Sequence, residues 1–488
     1  MPDVVLFPSG RPSPAAPAAP AVVEAPAVVE APAVVEAPAG VEAPAGVEAP
    51  AGVEAAARPG RSNPAAVDLF APEVVADPHP LLARLRREDP VHWSERHRAW
   101  LITRYDDVLA GFKDPRMSAE RVTPARAHLD DDGPVDPVAE VLAKWMVFKD
   151  PPDHPRLRRL VSTAFRPRAI ARLEPVIEAT VEGLLDDLGA HAGSGQAVDL
   201  TSTFAGPLPA IVIAHMLGVP EGDQEQFRHW SDELTDLVFG ATEVVDRRER
   251  GQKALRALAD YCRDLIEAAR RQPADNVLGS LVQAHDEGDR LSTEELISTC
   301  TLLLFGGHET TRTLIANGLA AALAASWDLA EVMTGPAAAG AVEEMLRFEG
   351  PAKVEVRHAA APLEWRGRRI EAGQRVFLAV IAANRDPEQF ESPDVLDLRR
   401  NPNPHLGFGF GAHFCLGATL ARVETRIALR GLLRRYPEIS LAQPYDSLPW
   451  RPALISRSLL ELPVILGSAG PDRDRALGPV AGGATRWT

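Results

Sequence analysis

Cysteine is scarce in this chain of 488 residues, which contains only Cys262, Cys300 and Cys415. Three scattered cysteines cannot supply the even, closely spaced set of a disulfide framework, so we expect a reducing compartment. The sequence also lacks an apolar run of about 18 residues and the basic and apolar regions of a signal peptide. These absences predict a soluble, cytoplasmic protein without a membrane segment.

Positive charge is not in excess either. The chain has 52 lysines and arginines against 68 aspartates and glutamates, which gives a formal net charge of −16. This balance argues against nucleic acid or an anionic membrane as the main partner. Hydrophobic residues make up 45% of the sequence, which is enough for a large core.

The N-terminal segment is a low-complexity repeat. Residues 21–56 are six near-copies of the hexapeptide A-[V/G]-V-E-A-P. The regularly spaced prolines prevent a long helix, and one glutamate per unit keeps the segment solvated. We therefore expect residues 1–64 to be a disordered tail and residues 65–468 to form one domain. Residues 469–488 are rich in Gly, Pro and Ala and are expected to be a second, flexible tail.

Between the tails the sequence periodicity is mostly helical. Short strand patterns lie near the two ends of this region, at Val91–Trp93, Trp100–Thr103, Val354–His358, Leu363–Trp365, Arg375–Val380 and Leu459–Val464. Strands clustered at the ends, with long helices between them, favour a mainly α, α+β body with small β-sheets at its edge over alternating βαβ units.

One cysteine lies in an unusual local sequence. The stretch Phe408–Gly417, FGFGAHFCLG, places Cys415 behind a glycine-rich turn and before a segment with helical spacing. A helix N-terminus lowers the pKa of a thiol, and Gly409 and Gly411 let the backbone close around a flat ligand, so the sulfur suits an axial iron ligand. An inert packing cysteine and a nucleophile are the alternatives, whereas His413 and Cys415 lack the second ligand pair of a zinc site.

The longest helical pattern has an irregular middle. It runs from about Thr293 to Ala325, roughly 50 Å at 1.5 Å per residue, after a capping-box signature formed by Ser292 and Glu295. Two consecutive glycines interrupt it, and each costs about 1 kcal/mol relative to alanine.

These glycines, Gly306 and Gly307, follow an apolar run and precede the polar pair Glu309 and Thr310. Gly306 and Thr310 are four residues apart, so a flat group could approach Gly306 while Thr310 presents a hydroxyl at its edge. The alternative is a close helix crossing in which the threonine hydroxyl bonds back to a carbonyl of its own helix.

The pattern F-G-x-G-x-H-x-C-x-G matches, position by position, the haem-binding loop of the cytochrome P-450 family of haem-thiolate monooxygenases. The resemblance implies the single-domain cytochrome P-450 fold, with haem b between the long central helix and the helix after Cys415. Cys415 would be the axial ligand and the only metal ligand, and His413 would contact a haem propionate. The same loop contributes three more cofactor-binding positions, namely Phe408, Gly409 and Gly417.

A second element places basic side chains on one helix face. In DPPDHPRLR, His154 and Arg158 are four residues apart, and two cations there would repel unless an anion lay between them. A neutral His154 that caps the helix is the alternative. The stretch resembles the family's D-P-P-x-H-x-x-x-R element, which implies that haem propionates are the anion. Arg357 resembles the family's further propionate-binding arginine, a role that suits a planar guanidinium.

The sequence Glu344-x-x-Arg347 is a weak motif alone, because a pair with this spacing on a helix surface contributes only about 0.2–0.5 kcal/mol. Its position before the cysteine loop resembles that of the family's E-x-x-R pair. The resemblance implies a structural role in the core, with Arg400 as third partner.

The glycine-interrupted helix resembles the family's oxygen-activating helix, with Gly306, Glu309 and Thr310 as its catalytic positions. Dioxygen must receive two protons before its O–O bond breaks, and a hydroxyl beside a carboxylate can relay them. His308 lies about 200° around the helix from Gly306, at about 100° per residue, so we expect it to face neighbouring helices.

The resemblance implies a monooxygenase that inserts one atom of O₂ into a lipophilic small molecule by hydroxylation or epoxidation. It would act as a monomer, and NAD(P)H would supply electrons only through ferredoxin reductase and ferredoxin. Six arginines and no acid between His154 and Leu173, with Arg422 and Arg426, predict a docking surface for an acidic ferredoxin. A peroxygenase, a haem-thiolate isomerase or dehydratase, and a haem-binding sensor remain alternatives, and the sequence does not identify the substrate.

Overall fold

The computed structural model describes residues 67–120, 137–239, 246–286 and 291–469. The predicted tail 1–64 and all but the first residue of the predicted tail 469–488 lie outside these residues, so both remain predictions. Within the described parts of the chain, no helix is long and apolar enough to cross a membrane.

Helices dominate the described chain. In order they are α1 (Pro72–Ala76), α2 (His79–Glu88), α3 (Tyr105–Lys113), α4 (Pro137–Ala143), α5 (Asp153–Ser162), α6 (Pro167–Ala171), α7 (Glu174–Asp187), α8 (Pro207–Leu217), α9 (Gln224–Phe239), α10 (Arg247–Arg271), α11 (Val277–Asp286), α12 (Thr293–Ala324), α13 (Leu329–Thr334), α14 (Ala338–Glu349), α15 (Val380–Ala383) and α16 (Ala418–Arg435). A short π-helical turn, Thr201–Ala205, precedes α8.

The strands form small sheets. They are β1 (Val91–Ser94), β2 (Ala99–Ile102), β3 (Met117–Ser118), β4 (Val198–Asp199), β5 (Glu355–Ala359), β6 (Leu363–Trp365), β7 (Arg368–Ile370), β8 (Arg375–Leu378), β9 (Ser440–Leu441) and β10 (Pro463–Ile465). The largest sheet has the order β1-β2-β8-β5-β3, a second has the order β4-β10-β9, and β6 pairs with β7. The parallel pair β2–β8 joins the N-terminal strands to the C-terminal half of the domain.

Helix α12 lies at the centre of the fold. The predicted capping box is present: Glu295 donates its amide to the Ser292 hydroxyl, and the Glu295 carboxylate accepts the Ser292 amide. The helix has 32 residues, so at 1.5 Å per residue it is about 48 Å long. It packs against α8, α10, α14 and α16, and most of its side chains are buried in the largest hydrophobic cluster.

The helix-rich α+β architecture confirms the predicted fold class. The predicted strands near residues 91, 100, 355 and 363 are present. Two predictions need correction: the strand predicted over Arg375–Val380 ends at Leu378, because Val380 starts α15, and the pattern Leu459–Val464 forms a strand only at Pro463–Ile465. Strand ends depend on where a pairing partner lies, and this is not encoded locally.

Candidate functional site

The cysteine loop, residues 408–417, is closed by one backbone hydrogen bond, in which the Cys415 amide donates to the Phe408 carbonyl at 2.9 Å. Gly409 and Gly411 have φ angles of 69° and 72°, which residues with a Cβ rarely adopt. The positive φ angles explain why glycine occupies both positions. The loop presents Cys415 just before α16, as the sequence predicts.

The Cys415 thiol is half-buried by accessible area. Burial raises the pKa of Cys415, while the Gly417 amide and the cations Arg158 and Arg422 pull it down. The backbone at the start of α16 thus lowers the pKa of Cys415 as we expected, but desolvation is the larger effect and the net shift is upward. A metal ion at the sulfur would supply the missing stabilisation, since a coordinating thiol is deprotonated outright.

Three basic side chains, those of His154, Arg158 and Arg357, lie beside the loop. Together with His413 of the loop they form what we call the basic cluster. The rings of His154 and His413 stack with centroids 3.9 Å apart and planes 27° apart. Burial and the neighbouring His154 and Arg357 lower the pKa of His413 to about 3, and burial and Arg158 lower the pKa of His154. Both imidazoles are therefore neutral at pH 7. His154 stacks instead of acting as the helix cap that we weighed.

The two guanidinium groups of this cluster bind backbone oxygens. Arg158 donates Nη2 to the Phe414 carbonyl at 2.6 Å, and Arg357 donates Nη1 to the Val356 carbonyl at 2.9 Å. Asp150 lies near the two histidines but binds the Ala119 amide at 3.0 Å. Cationic and polar donors collected this way fit a ligand with two carboxylates, such as the propionates of haem.

An open space, which we call the opening, lies beside the middle of helix α12 at Gly306. Gly306 is exposed although Phe305 and His308 are buried. A Cβ on Gly306 would meet no atom within 4 Å, whereas a Cβ on Gly307 would lie 2.6 Å from Cδ1 of Ile213. The helix crossing that we considered for Gly306 therefore belongs to Gly307, which packs on α8, while Gly306 borders open space of the kind that a flat macrocycle requires.

Two polar groups follow this opening. The Thr310 hydroxyl donates to the Gly306 carbonyl at 2.8 Å, which is the back-bonded arrangement that we considered, and the residue is still partly exposed. Glu309 is buried and accepts Nη1 of Arg312 at 2.6 Å through Oε2. Its Oε1 has no hydrogen-bond partner among the described residues. The acid and the alcohol are adjacent in sequence but not hydrogen-bonded to each other in the described structure.

His308 faces away from the opening, as predicted. Its Nδ1 lies 2.8 Å from the Ser231 hydroxyl on α9, and the imidazole is buried. Burial lowers the pKa of His308, so the ring is neutral at pH 7. Cys262 and Cys300 are buried free thiols.

The Glu344–Arg347 pair lies in the core. Arg347 donates Nε at 2.7 Å and Nη2 at 2.8 Å to Glu344, and Arg400 donates Nε to the same carboxylate at 3.1 Å. Asn403 and the Asp397 amide complete the set of donors. The pair therefore links α14 to the segment that precedes the cysteine loop, including Arg400 as the resemblance implied.

Sequence reasoning missed two residues that hold the cysteine loop. The Glu343 carboxylate accepts Nε of Arg422 at 2.6 Å and Nε2 of His405 at 3.0 Å. Burial opposes ionisation, but these hydrogen bonds lower the pKa of Glu343 to about 2. The Phe112 ring on α3 lies 3.7 Å from where a Cβ on Gly409 would be. Neither residue has a local sequence signal, because its partners are distant along the chain.

The predicted site residues thus form two groups. One surrounds the cysteine loop and the basic cluster, and the other surrounds the opening in α12. A sulfur ligand, donors for two carboxylates and a gap beside Gly306 fit haem.

Comparison with known proteins supports this fit. A family model described as Cytochrome P450 matches residues 131–333 and 325–455. Polyketide biosynthesis cytochrome P450 PksS of Bacillus subtilis (strain 168) is 39% identical over 398 residues, which cover 80% of this chain and 96% of that protein. The solved structure of PksS has a TM-score of 0.74 to this chain at 38% identity, covering 82% of this chain and 100% of that one.

Two further relatives are similar over comparable lengths. Cytochrome P450 monooxygenase PikC of Streptomyces venezuelae is 39% identical over 411 residues, 83% of this chain and 95% of that protein. Vitamin D(3) 25-hydroxylase of Pseudonocardia autotrophica is 40% identical over 405 residues, 82% of this chain and 96% of that protein. The chain therefore belongs to the cytochrome P450 family and is a haem-dependent monooxygenase that uses NAD(P)H through redox partners.

Proposed function

We propose that this enzyme hydroxylates or epoxidises a lipophilic small molecule, with electrons delivered by a ferredoxin and its reductase. The observation that carries the proposal is the opening in α12. Gly306 is exposed in the middle of a buried helix, and Thr310 lies one turn further along the same face. This arrangement leaves room for a cofactor and an oxygen substrate beside a hydroxyl group.

Two groups of described residues would hold haem, one at the iron and one at the propionates. Cys415 would bind the iron through Sγ, with Phe408, Gly409 and Gly417 shaping the loop. The basic cluster of His154, Arg158, His413 and Arg357 would bind and orient the propionates. When bound, haem supplies the chemistry that puts one oxygen atom of O₂ into the substrate and reduces the other to water.

Thr310 and Glu309 would move protons to the oxygen. The Thr310 hydroxyl donates to the Gly306 carbonyl, so its lone pairs are available to accept a hydrogen bond from a water molecule or an acid. Glu309 directly precedes Thr310 on the helix. Its Oε1 has no hydrogen-bond partner among the described residues, so it can exchange protons with a water molecule. We propose that proton delivery runs from Glu309 to the oxygen through the Thr310 hydroxyl.

We expect Thr310→Ala to uncouple the reaction. NADPH oxidation should continue, while product per NADPH falls by about tenfold or more and hydrogen peroxide rises to match, because proton delivery is impaired. The measurement is product, NADPH and peroxide in a reaction reconstituted with ferredoxin and reductase. Thr311→Ala, which removes a buried hydroxyl on another face of α12, is the control. Unchanged coupling in Thr310→Ala would argue against the relay.

The proposed substrate class is supported by two relatives, whose names mention polyketide biosynthesis and vitamin D(3) hydroxylation. The residue before Gly306 is also part of an aromatic cluster. Trp145 stacks on Phe305 of α12 at a centroid distance of 5.2 Å. A titration of the Soret spin-state change against polyketides, steroids, terpenoids and fatty acids tests the substrate class. A response confined to small polar compounds would contradict it.

We propose that only some of the predicted arginines take part in ferredoxin docking. Among the predicted arginines, Arg156 pairs with Glu295 and Arg422 pairs with Glu343, so neither guanidinium is free for docking. Among the predicted arginines, Arg159, Arg166 and Arg168 are exposed and have no salt bridge in the described structure, and we call them the arginine surface. Arg159 lies on α5, Arg168 on α6 and Arg166 directly before α6, close in sequence to the basic cluster beside the cysteine loop.

We expect Arg159→Glu combined with Arg168→Glu to slow reduction by ferredoxin about tenfold at low salt, because electrostatic steering is lost. The measurement is stopped-flow reduction under carbon monoxide at several salt concentrations. Arg84→Glu changes an exposed arginine on α2 and is the matched control. Reduction by dithionite should stay the same in all variants. Equal ferredoxin rates in the double variant and the control would rule the arginine surface out.

The organisation of the whole chain is also a proposal. We infer one catalytic domain over residues 65–468, which works as a monomer in the cytoplasm. The free state of all three cysteines is compatible with a reducing compartment.

A further inference from the structure

The buried carboxylate of Glu309 is held by Arg312, a residue outside the motifs that the sequence analysis singled out. Arg312 follows three positions later on α12 and donates Nη1 to Oε2 of Glu309 at 2.6 Å. The side chain of Glu309 is 1% exposed and that of Arg312 is 11% exposed. Despite burial, Glu309 raises the pKa of Arg312, so the guanidinium is charged at any pH of interest. The carboxylate therefore has a permanent cation beside it.

Arg312 reaches from this buried pair toward solvent. Its side chain passes over Gly206, where a Cβ would lie 3.6 Å from Cδ of Arg312. Asp232 on α9 and Asp199 on β4 both interact electrostatically with the guanidinium, and Asp232 is exposed. Arg312 thus interacts both with the buried Glu309 and with the exposed Asp232.

Other titratable groups around Glu309 come from the same helix and from α9. His308 and Arg312 flank it on α12, and Asp236 on α9 interacts with it electrostatically. Asp236 is itself bound to Arg451 at 2.6 Å. Arg228 on α9 interacts with His308. Arg312 is the group that binds the Glu309 carboxylate directly.

We propose that Arg312 is a positioning residue for proton delivery, which fixes Oε2 of Glu309 and leaves Oε1 free to exchange protons. The pair has the favourable order for a helix, with the acid N-terminal to the base. Without Arg312, Oε2 of the buried Glu309 carboxylate would lose the hydrogen bond that holds it. Arg312 thus sets the orientation of the acid.

The inference rests on the proposed relay through Glu309 and Thr310, and it is tested with Arg312→Gln and Arg312→Lys in the reconstituted enzyme. We expect Arg312→Gln to lower product per NADPH about fivefold and to raise peroxide, because the acid is misplaced. Arg312→Lys keeps the charge and should restore coupling to within about twofold.

Folding provides a readout that does not depend on turnover. Urea unfolding followed by tryptophan fluorescence should show a lower midpoint for Arg312→Gln, because it leaves a buried charge without a partner. Adding Glu309→Gln to that variant should bring the midpoint back toward the wild type. Arg263→Gln removes an arginine from an exposed pair of the same spacing, with Asp260, and should change neither midpoint nor coupling.

The outcomes separate this inference from the proposed function. Wild-type coupling in Arg312→Gln, together with uncoupling in Thr310→Ala, would overturn the role of Arg312 and leave the relay standing. Wild-type coupling in both variants would overturn the relay itself. A substrate spin-state titration that shifts no more than about twofold in Arg312→Gln would show that binding is intact. If Arg312→Gln does not fold, Arg312→Lys decides, and strong uncoupling in that variant would contradict a role based on charge.

Discussion

Replacement of Cys415 by serine is expected to abolish monooxygenation and the red-shifted Soret band that a thiolate-bound haem gives after reduction and addition of carbon monoxide. The proposed role of Cys415 rests on its place in the cysteine loop. A hydroxyl is a harder and far less acidic ligand than a thiol, so serine cannot provide the anionic sulfur that pushes electron density toward the O–O bond.

The fold should survive this substitution. The loop is closed by the Cys415 amide and the Phe408 carbonyl, and serine keeps that backbone hydrogen bond. Positive φ angles at Gly409 and Gly411 hold the turn regardless of the side chain at position 415. Circular dichroism and the urea midpoint should therefore stay close to those of the wild type. Loss of the band without loss of fold would locate the defect at the sulfur.

A matched control separates this sulfur from sulfur in general. Cys262→Ser changes a buried thiol on α10 that has no place in the site. It should retain the red-shifted band and full coupling, with at most a modest loss of stability. A red-shifted band in Cys415→Ser, or its absence from Cys262→Ser, would contradict the assignment of Cys415 as the ligand.

Features that depend on a short stretch of sequence could be predicted. The start of α12 was predicted correctly because a capping box is a contact between residues three positions apart. The direction of His308 followed from the angle per residue of a helix, and its contact with Ser231 confirms it. Even the Arg347–Glu344 contact was accessible, since both residues lie on one helix face.

Features that depend on the balance between burial and charge could not be predicted from the sequence. The Gly417 amide lowers the pKa of Cys415 as we expected, but the larger, opposite effect of desolvation is set by packing that the sequence does not reveal. For Gly306 and Gly307 the sequence indicated a special position without showing which glycine packs on a helix and which borders a gap. The partner of Glu309, Arg312, follows helical spacing, and that signal was available but overlooked.

Contacts between segments that are distant along the chain also could not be predicted. Glu343 gave no signal beside the motif residue Glu344, yet it binds Arg422 and His405 on either side of the cysteine loop. The predicted docking arginines illustrate the same limit, because a run of like charge does not show which members find acidic partners. Arg156 and Arg422 found such partners, and Arg159 did not in the described structure.

The second large effect is expected from Arg347→Ala, which should prevent stable folding and haem incorporation. Arg347 uses all five of its N–H donors: two bind Glu344, and three bind the carbonyls of Asn384, Pro393 and Val395. Both side chains of the ion pair are 0% exposed. Removal of one partner from a buried pair costs about 3–5 kcal/mol, because the other charge remains buried.

The test is the midpoint and slope of urea unfolding, together with the haem content of the purified protein. Arg399→Ala is the matched control, because it removes an arginine from an exposed pair with Glu331 and should cost less than about 1 kcal/mol. Arg347→Lys should rescue little, since an ammonium has three donors and no planar fork. A wild-type urea midpoint in Arg347→Ala would mean that the packing around Glu344 tolerates an unpaired carboxylate.

The position of Arg347 explains why a residue outside the site should control it. The three carbonyls that it binds belong to the segment between α15 and the cysteine loop. Glu343, one residue before its partner Glu344, accepts hydrogen bonds from His405 and Arg422 at the two ends of the loop. Loss of Arg347 should therefore release both the segment before Cys415 and the helix face that holds the loop. Haem content should fall in parallel with the urea midpoint, and loss of haem at an unchanged midpoint would place Arg347 in the site instead.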